Sequence, residues 1–224
     1  MIQAIVTDIE GTTSSLSFVK EVLFPYARTH IANFIREHAH EPAIADILEN
    51  ARQLSGAQLD NEQLIQQFQN WIERDEKITP LKTLQGLIWE NGYQRGDFTG
   101  HVYADAVEQL QSFKQQGLNL YVYSSGSIHA QKLLFAHSDF GDLTTLFSGY
   151  FDTTTGGKKE TTSYARIATA IALPAANILF LSDIVEELDA AAQAGFQTYW
   201  LVRGHTPDVS ASHRQIGSFA EIQL

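Results

Sequence analysis

The sequence predicts an α/β protein: a doubly wound, mostly parallel sheet interrupted by a helical insertion. Three observations predict it. Short apolar, often β-branched runs recur along the chain, each closed by a small or acidic polar residue. Stretches of helical periodicity follow these runs, which is the βαβ alternation of a parallel sheet. The region from about residue 15 to residue 96 breaks the alternation, with helical periodicity and no strand-like run.

The first strand is predicted over Ile2 to Thr7, a run buried on both faces and bounded by Asp8 and Gly11. Residues 118–123 repeat the pattern before Ser124-Ser125-Gly126, residues 178–181 before Ser182-Asp183, and residues 198–202 form a fourth candidate. Helices are predicted over 104–116, 128–137, 163–172 and 185–194. In the insertion they are predicted over 19–38, 43–54, 62–78 and 81–91. Pro25, Pro42 and Pro80 punctuate it, the last two where helices can start. The expected division is therefore a core of residues 1–14 and 97–224 and a helical cap of residues 15–96. The tail from Ser212 is expected to add an edge strand at 218–222 or to lie over the core.

Fifteen basic against 26 acidic residues leave a formal charge of −11, and no basic stripe exists to neutralise nucleic-acid phosphates. Nucleic acid is excluded as an expected partner. An acidic surface also repels phosphorylated metabolites, so a site for one needs local positive charge from a lysine or a bound cation. With no cysteine, disulfides, thiolate metal sites and cysteine nucleophiles are excluded. No segment approaches the ~20 apolar residues of a membrane span, and the first apolar run is too short for a signal peptide. The expectation is a soluble, cytoplasmic protein without a membrane partner.

Four clusters carry chemistry, and each follows a strand in the predicted fold, where open α/β sheets bind ligands. Asp8-Ile9-Glu10-Gly11-Thr12 sets two carboxylates two residues apart beside a turn-permitting glycine. One carboxylate can attack phosphorus while the other moves protons. As a lone feature, Asp8 is also a plausible helix cap. Ser124-Ser125-Gly126-Ser127 offers hydroxyls and backbone N–H groups to an anion at a helix start, or a simple N-cap. Gly156-Gly157-Lys158-Lys159 supplies the local positive charge, with Lys158 preferred over Lys159. Asp183, with Asp8, can begin the oxygen shell of a magnesium ion. Glu186 and Asp189 read as an exposed helix start, and Glu187 as an outer-shell or water-bridged ligand.

The four clusters in this order resemble the haloacid dehalogenase superfamily. That resemblance implies Asp8 as nucleophile and metal ligand, Ser124 or Ser125 on phosphate, Lys158 on substrate charge, and Asp183 on magnesium. The segments DIEGTTSSLSFVKEVLFPYA, LKTLQGLIWENGY, YVYSSGSIHAQKLLFAHSDFGDL, GGKKETTSY and ILFLSDIVEELDAA are similar, more narrowly, to the enolase-phosphatase (acireductone synthase) family. The family implies a bifunctional step of methionine salvage in a magnesium-dependent monomer. 2,3-Diketo-5-methylthiopentyl 1-phosphate is enolised, then dephosphorylated to the acireductone 1,2-dihydroxy-3-keto-5-methylthiopentene. Most phosphatases of the superfamily carry aspartate where Glu10 stands. Glu10 is thus open to three roles: acid and base, metal ligand, or the base of enolisation.

The cap is expected to close over the core and keep water from the enol. Lys82, Gln85 and Trp89 are candidates to face substrate, although bundle packing is the stronger reading of Trp89, and Phe18, Val19 and Phe24 have the spacing of an apolar lid surface. A sugar-phosphate or phosphoglycolate phosphatase would share the core motifs and differ in the cap segment. A dehalogenase would share the aspartate without needing the magnesium site. A non-catalytic phosphate-binding module would be expected to lose the nucleophile or the metal acid, and Asp8, Glu10, Lys158 and Asp183 are all present.

Overall fold

The computed structural model describes residues 1–204 and 212–224. Among these residues six strands form one sheet: β1 (Ala4–Thr7), β2 (Asn119–Tyr123), β3 (Gly149–Phe151), β4 (Ile178–Ser182), β5 (Gln197–Leu201) and β6 (Arg214–Ile216). Their spatial order is β3-β2-β1-β4-β5-β6, and every neighbouring pair is parallel. The order reverses at β1, so the ends of β1, β2 and β4 flank the crevice where such sheets bind ligands. All residues of β1 and β4 are buried, as a sheet covered on both faces requires.

The chain divides into two compact units, Met1–Leu16 with Gly100–Leu224, and Ser17–Thr99. Around the sheet of the first lie α6 (Ala104–Gln115), α7 (Ile128–Ala136), α8 (Thr161–Ile171) and α9 (Val185–Gln193). Its core includes Val6, Tyr123, Tyr164, Ile178, Phe180 and Leu188, all fully buried. Burying an aliphatic or aromatic side chain of this size contributes about 1.5–3 kcal/mol.

The chain passes between the units through α1 (Leu16–Phe18), a single turn. The second unit holds a π-helical turn (Val19–Leu23), α2 (Phe24–His38), α3 (Pro42–Ser55), α4 (Asn61–Glu73) and α5 (Thr79–Arg95). The single helix expected over 19–38 is thus a π turn followed by α2. Phe24 N–H reaches back five residues to the Val19 carbonyl. Pro25 has no N–H to donate to the carbonyl of residue 21, so the ordinary helical bond is missing there. The expected helix over 62–78 stops at Glu73, and α4 starts on a capping box in which Asp60 accepts from Gln63 N–H and the Gln63 side chain from Asp60 N–H. Ile31, Ile35, Leu48, Leu64, Phe68 and Leu84 form this unit's own core.

Three short elements differ from expectation. β3 and β6 were not expected at all, and each has only three residues. Residues 218–222 do not form an edge strand. Phe219–Glu221 is a 3₁₀ turn whose Ser218 hydroxyl accepts from Ala220 N–H, while Ser218 itself donates to Asp105. Phe18, Val19 and Phe24, expected as an apolar lid surface, are packed instead: Phe18 and Val19 are buried, Phe18 edge-on to Phe98, and Phe24 stacks on Trp89. Trp89 donates its indole N–H to the Leu23 carbonyl at 2.8 Å, the packing role preferred for it. Among the described residues, no helix is long and apolar enough to cross a membrane.

Candidate active site

The backbone fixes the first carboxylate before any side chain acts. Beyond β1, Asp8 N–H donates to the Leu181 carbonyl of β4 at 2.9 Å, and the Asp8 carbonyl accepts the hydroxyls of Thr7 at 3.0 Å and Thr13 at 3.1 Å. The loop then turns at Gly11, where φ is +74°. Its N–H donates to the Ser14 carbonyl at 2.8 Å. Asp8 is left at the sheet edge, 4 % exposed.

Lys158 meets it there. Its ammonium lies 2.6 Å from Asp8 Oδ1 and 2.7 Å from Glu187 Oε2, and Glu187 Oε2 also accepts the Ser182 hydroxyl at 2.9 Å. Burial pulls the lysine's pKa down, but the two carboxylates outweigh it and hold the pKa above its usual value. The ammonium therefore stays charged. Burial, and then the Asp8 charge, push Glu187 up against the pull of Lys158. Lys159 points elsewhere, to exposed Glu186 at 3.2 Å. The preference for Lys158 matches this geometry. Glu187, expected as an outer-shell or water-bridged ligand, is the lysine's second partner.

Asp183 follows β4, with its backbone carbonyl taking the Trp200 indole N–H at 2.9 Å. Its Oδ1 is buried and has no hydrogen-bond partner among the described residues. Burial first, and the nearby Asp8 charge second, raise its pKa to about 7. A buried carboxylate oxygen left in this way is a natural seat for a cation.

The serine loop follows β2. Ser124 N–H donates to the Phe151 carbonyl at 3.2 Å, and the Ser124 hydroxyl accepts from Gly126 N–H at 3.3 Å. Ser127 caps α7 through Ala130 N–H. Gln131 ties the loop to β3, donating to the carbonyls of Gly126 at 2.8 Å and Phe151 at 2.9 Å. The buried Asp152 accepts from Ile128 N–H at 3.2 Å.

These residues line one cleft of about 320 Å³, to which Asp8, Glu10, Ser124, Ser125, Lys158, Asp183 and Glu187 all contribute. All seven belong to the first compact unit. Thr153, Leu16 and Ile184 also line the cleft and were not singled out in the sequence. Thr153 follows β3, a strand too short to announce itself, and Leu16 and Ile184 carry no chemical signature. Lys82, Gln85 and Trp89 belong to the second unit.

A magnesium ion fits the donor set. Four carboxylates, Asp8, Glu10, Asp183 and Glu187, face two lysines in the cleft, one of which is engaged by Glu186 outside it. The excess negative charge and the orphaned Asp183 oxygen call for a cation. Among the described residues no three histidine or acidic side chains cluster as a complete protein cage. Magnesium does not need one, since it usually takes few protein carboxylates and fills its octahedron with waters and substrate phosphate.

Comparison with known proteins bears on the family of the chain. The model of the haloacid dehalogenase-like hydrolases matches residues 2–195. An enolase-phosphatase E1 of Thioalkalivibrio sulfidiphilus is 55 % identical over 222 residues, with 99 % of each chain covered. An enolase-phosphatase E1 of Pseudomonas aeruginosa is 57 % identical, covering 99 % of this chain and 98 % of its own. The crystal structure of the UTR4 protein of Saccharomyces cerevisiae superposes with a TM-score of 0.84 at 34 % identity, covering 99 % of this chain and 100 % of its own. The chain therefore belongs to the haloacid dehalogenase-like hydrolases and, within them, to the enolase-phosphatase E1 family.

Proposed function

We infer that the protein is a bifunctional enolase-phosphatase that works through Asp8, Glu10 and Lys158, with Ser124, Ser125 and Lys158 on the substrate phosphate and magnesium held by Asp8, Glu10 and Asp183. The substrate is 2,3-diketo-5-methylthiopentyl 1-phosphate, and the product is the acireductone of methionine salvage. Catalysis is assigned to residues 1–14 and 97–224, and residues 15–96 are given the part of a cap. A cytoplasmic monomer acting on a small phosphorylated metabolite, with neither nucleic acid nor membrane as partner, completes the reading.

The observation that supports it best is the Asp8–Lys158–Glu187 array, with contacts of 2.6 and 2.7 Å at the strand ends. A carboxylate that is a nucleophile must meet a phosphate carrying its own negative charge. Lys158 lies where it can offset both, and Glu187 keeps that lysine charged and aimed. The hydroxyls of Ser124 and Ser125 hold the phosphate in line for attack on phosphorus by Asp8.

Enolisation takes a proton from the carbon bearing the phosphoester and leaves charge on the neighbouring carbonyl oxygen. Glu10 or a residue of the cap is the base for that proton. In the second half, Asp8 forms a bond to phosphorus as the bond to the enol oxygen breaks, and Glu10 protonates the departing oxygen. Glu10 then deprotonates the water that splits the aspartyl-phosphate, which returns Asp8 and releases phosphate. When bound, magnesium supplies positive charge for the phosphate oxygens and the enolate oxygen.

Mixing purified protein with the diketo phosphate, with and without magnesium, tests the reading. Enol absorbance and phosphate release are followed together. Transient enol followed by metal-dependent release supports it, and neither signal would end the substrate assignment. Solvent deuterium incorporation undiminished in Glu10→Gln would remove Glu10 as the enolising base.

A further inference from the structure

Four consecutive backbone carbonyls in the lysine loop each accept a hydrogen bond from a side chain outside it. Arg166 Nη1 donates to Thr155 O at 2.7 Å, the Tyr123 phenol to Gly156 O at 2.9 Å, the Ser163 hydroxyl to Gly157 O at 2.8 Å, and the Tyr164 phenol to Lys158 O at 2.6 Å. The donors come from β2 and α8, and Tyr123, Ser163 and Tyr164 are fully buried. Ordinary surface loops leave many carbonyls to water. This loop turns four successive carbonyl dipoles toward the protein, so none of them is presented to a phosphate oxygen that it would repel.

Two further features point the same way. Gly156 has φ +143°, and a Cβ there would run into the Ser163 hydroxyl, so the chain must stay glycine for the clamp to close. Lys158 is held at both ends, its carbonyl by Tyr164 at 2.6 Å and its ammonium by Asp8 at 2.6 Å. The aromatic rings have a packing role of their own, since Tyr164 lies edge-on to Tyr123, Phe180 and Phe196. That role needs the ring and not the hydroxyl.

We propose that the phenols of Tyr123 and Tyr164 are positioning groups for phosphoryl transfer, holding the lysine loop so that the Lys158 ammonium stays on Asp8, with Ser163 and Arg166 completing the clamp. The proposal rests on the assignment of Lys158 as the charge-offsetting group.

Tyr123→Phe, Tyr164→Phe and the double variant keep the rings and remove only the donors. Lys158→Met is the reference for the lysine itself. Phosphate release is measured at saturating magnesium, alongside thermal unfolding and the side-chain ammonium resonance of Lys158 in magnesium-free, ¹⁵N-labelled protein. The expected result is a kcat lower by about tenfold in the double variant with KM changed by less than about twofold, since small misplacements of a reacting group act on kcat. The Lys158 resonance broadens or disappears in the same variant. A double variant with wild-type kcat and an unchanged resonance, beside an inactive Lys158→Met, overturns the clamp while sparing the lysine. Full release by Lys158→Met overturns the lysine assignment and the clamp with it. A fall in melting temperature alone, without change in kcat or the resonance, reduces the two phenols to structural groups and also overturns the proposal.

Discussion

Gly11 lies directly against Asp183: a Cβ added at Gly11 would collide with the Asp183 carboxylate. Gly11 also sits at φ +74°, where a side chain is strained in its own right. One glycine thus joins the turn that presents Asp8 and Glu10 to the seat of the acid that follows β4.

Gly11→Ala is therefore expected to displace Asp183 and abolish the response to magnesium. The strain alone costs about 1 kcal/mol, so the protein should still fold. Thermal unfolding with and without magnesium checks this, together with phosphate release. A variant that keeps the full magnesium shift would show that Asp183 has room to move.

Lys158→Met is expected to leave Asp8 and Glu187 facing each other without their shared cation and to lower phosphate release by about 10²–10³-fold, the order seen when a preorganised charge-stabilising group is removed. Glu187→Gln keeps a hydrogen-bond partner for the lysine and should cost less. Steady-state kinetics of both variants decide it: equal losses would mean that Glu187 does more than hold the lysine.

The pH dependence follows from Asp183. Its pKa in the folded, metal-free protein is raised to about 7. In the unfolded chain an aspartate titrates near about 3.9. Between these values the folded state binds the extra proton, so the group lowers stability as pH rises from about 4 to about 7. Magnesium requires the carboxylate, so its stabilising shift should grow across the same window. Melting temperatures in EDTA and in magnesium at pH 5, 6, 7 and 8 measure this, and a shift independent of pH would contradict it.

Arg203 reaches back to the loop that follows β1. Its Nε donates to the Thr12 carbonyl at 2.7 Å, its other nitrogens to both Asp105 oxygens at 3.1 Å, and its guanidinium lies 3.9 Å from the Tyr103 ring centre. Burial raises the Asp105 carboxyl, but the Arg203 hydrogen bonds and the Phe219 N–H outweigh it, so its pKa lies below the usual range. That stabilisation is present above about pH 4 and is lost as pH falls through the depressed value. Arg203→Ala should cost about 2 kcal/mol, because it leaves a partly buried carboxylate without its cation. Denaturant unfolding measures it, and a loss below about 0.5 kcal/mol would place this pair among ordinary surface contacts.

How much of this was legible depends on how each feature is written in the sequence. β1, β2, β4 and β5 are apolar runs of four or five residues and announce themselves, whereas β3 and β6 have three residues each and take their pairing from strands already in place. Asp8, Ser124 and Asp183 were legible because each stands just past such a run, and Lys158 because two glycines precede it. Glu187 was seen as an acid, but its partner was not, since the contact with Lys158 joins residues 29 positions apart in different elements. Tyr123, Ser163, Tyr164 and Gln131 were not legible as site residues at all. They act on backbone carbonyls, and a carbonyl leaves no letter in a sequence.

Asp8 as the nucleophile is tested most directly by trapping its phosphoryl ester. The protein is mixed with the diketo phosphate and magnesium, quenched in acid within the first turnover and reduced with borohydride, which attacks acyl phosphates and spares free carboxylates. Peptide mass mapping then reads which residue was reduced. Reduction at Asp8, absent without substrate and absent in Asp8→Asn, is the expected result. Phosphate release during the same turnover with Asp8 unmodified, or undiminished release by Asp8→Asn, would contradict it.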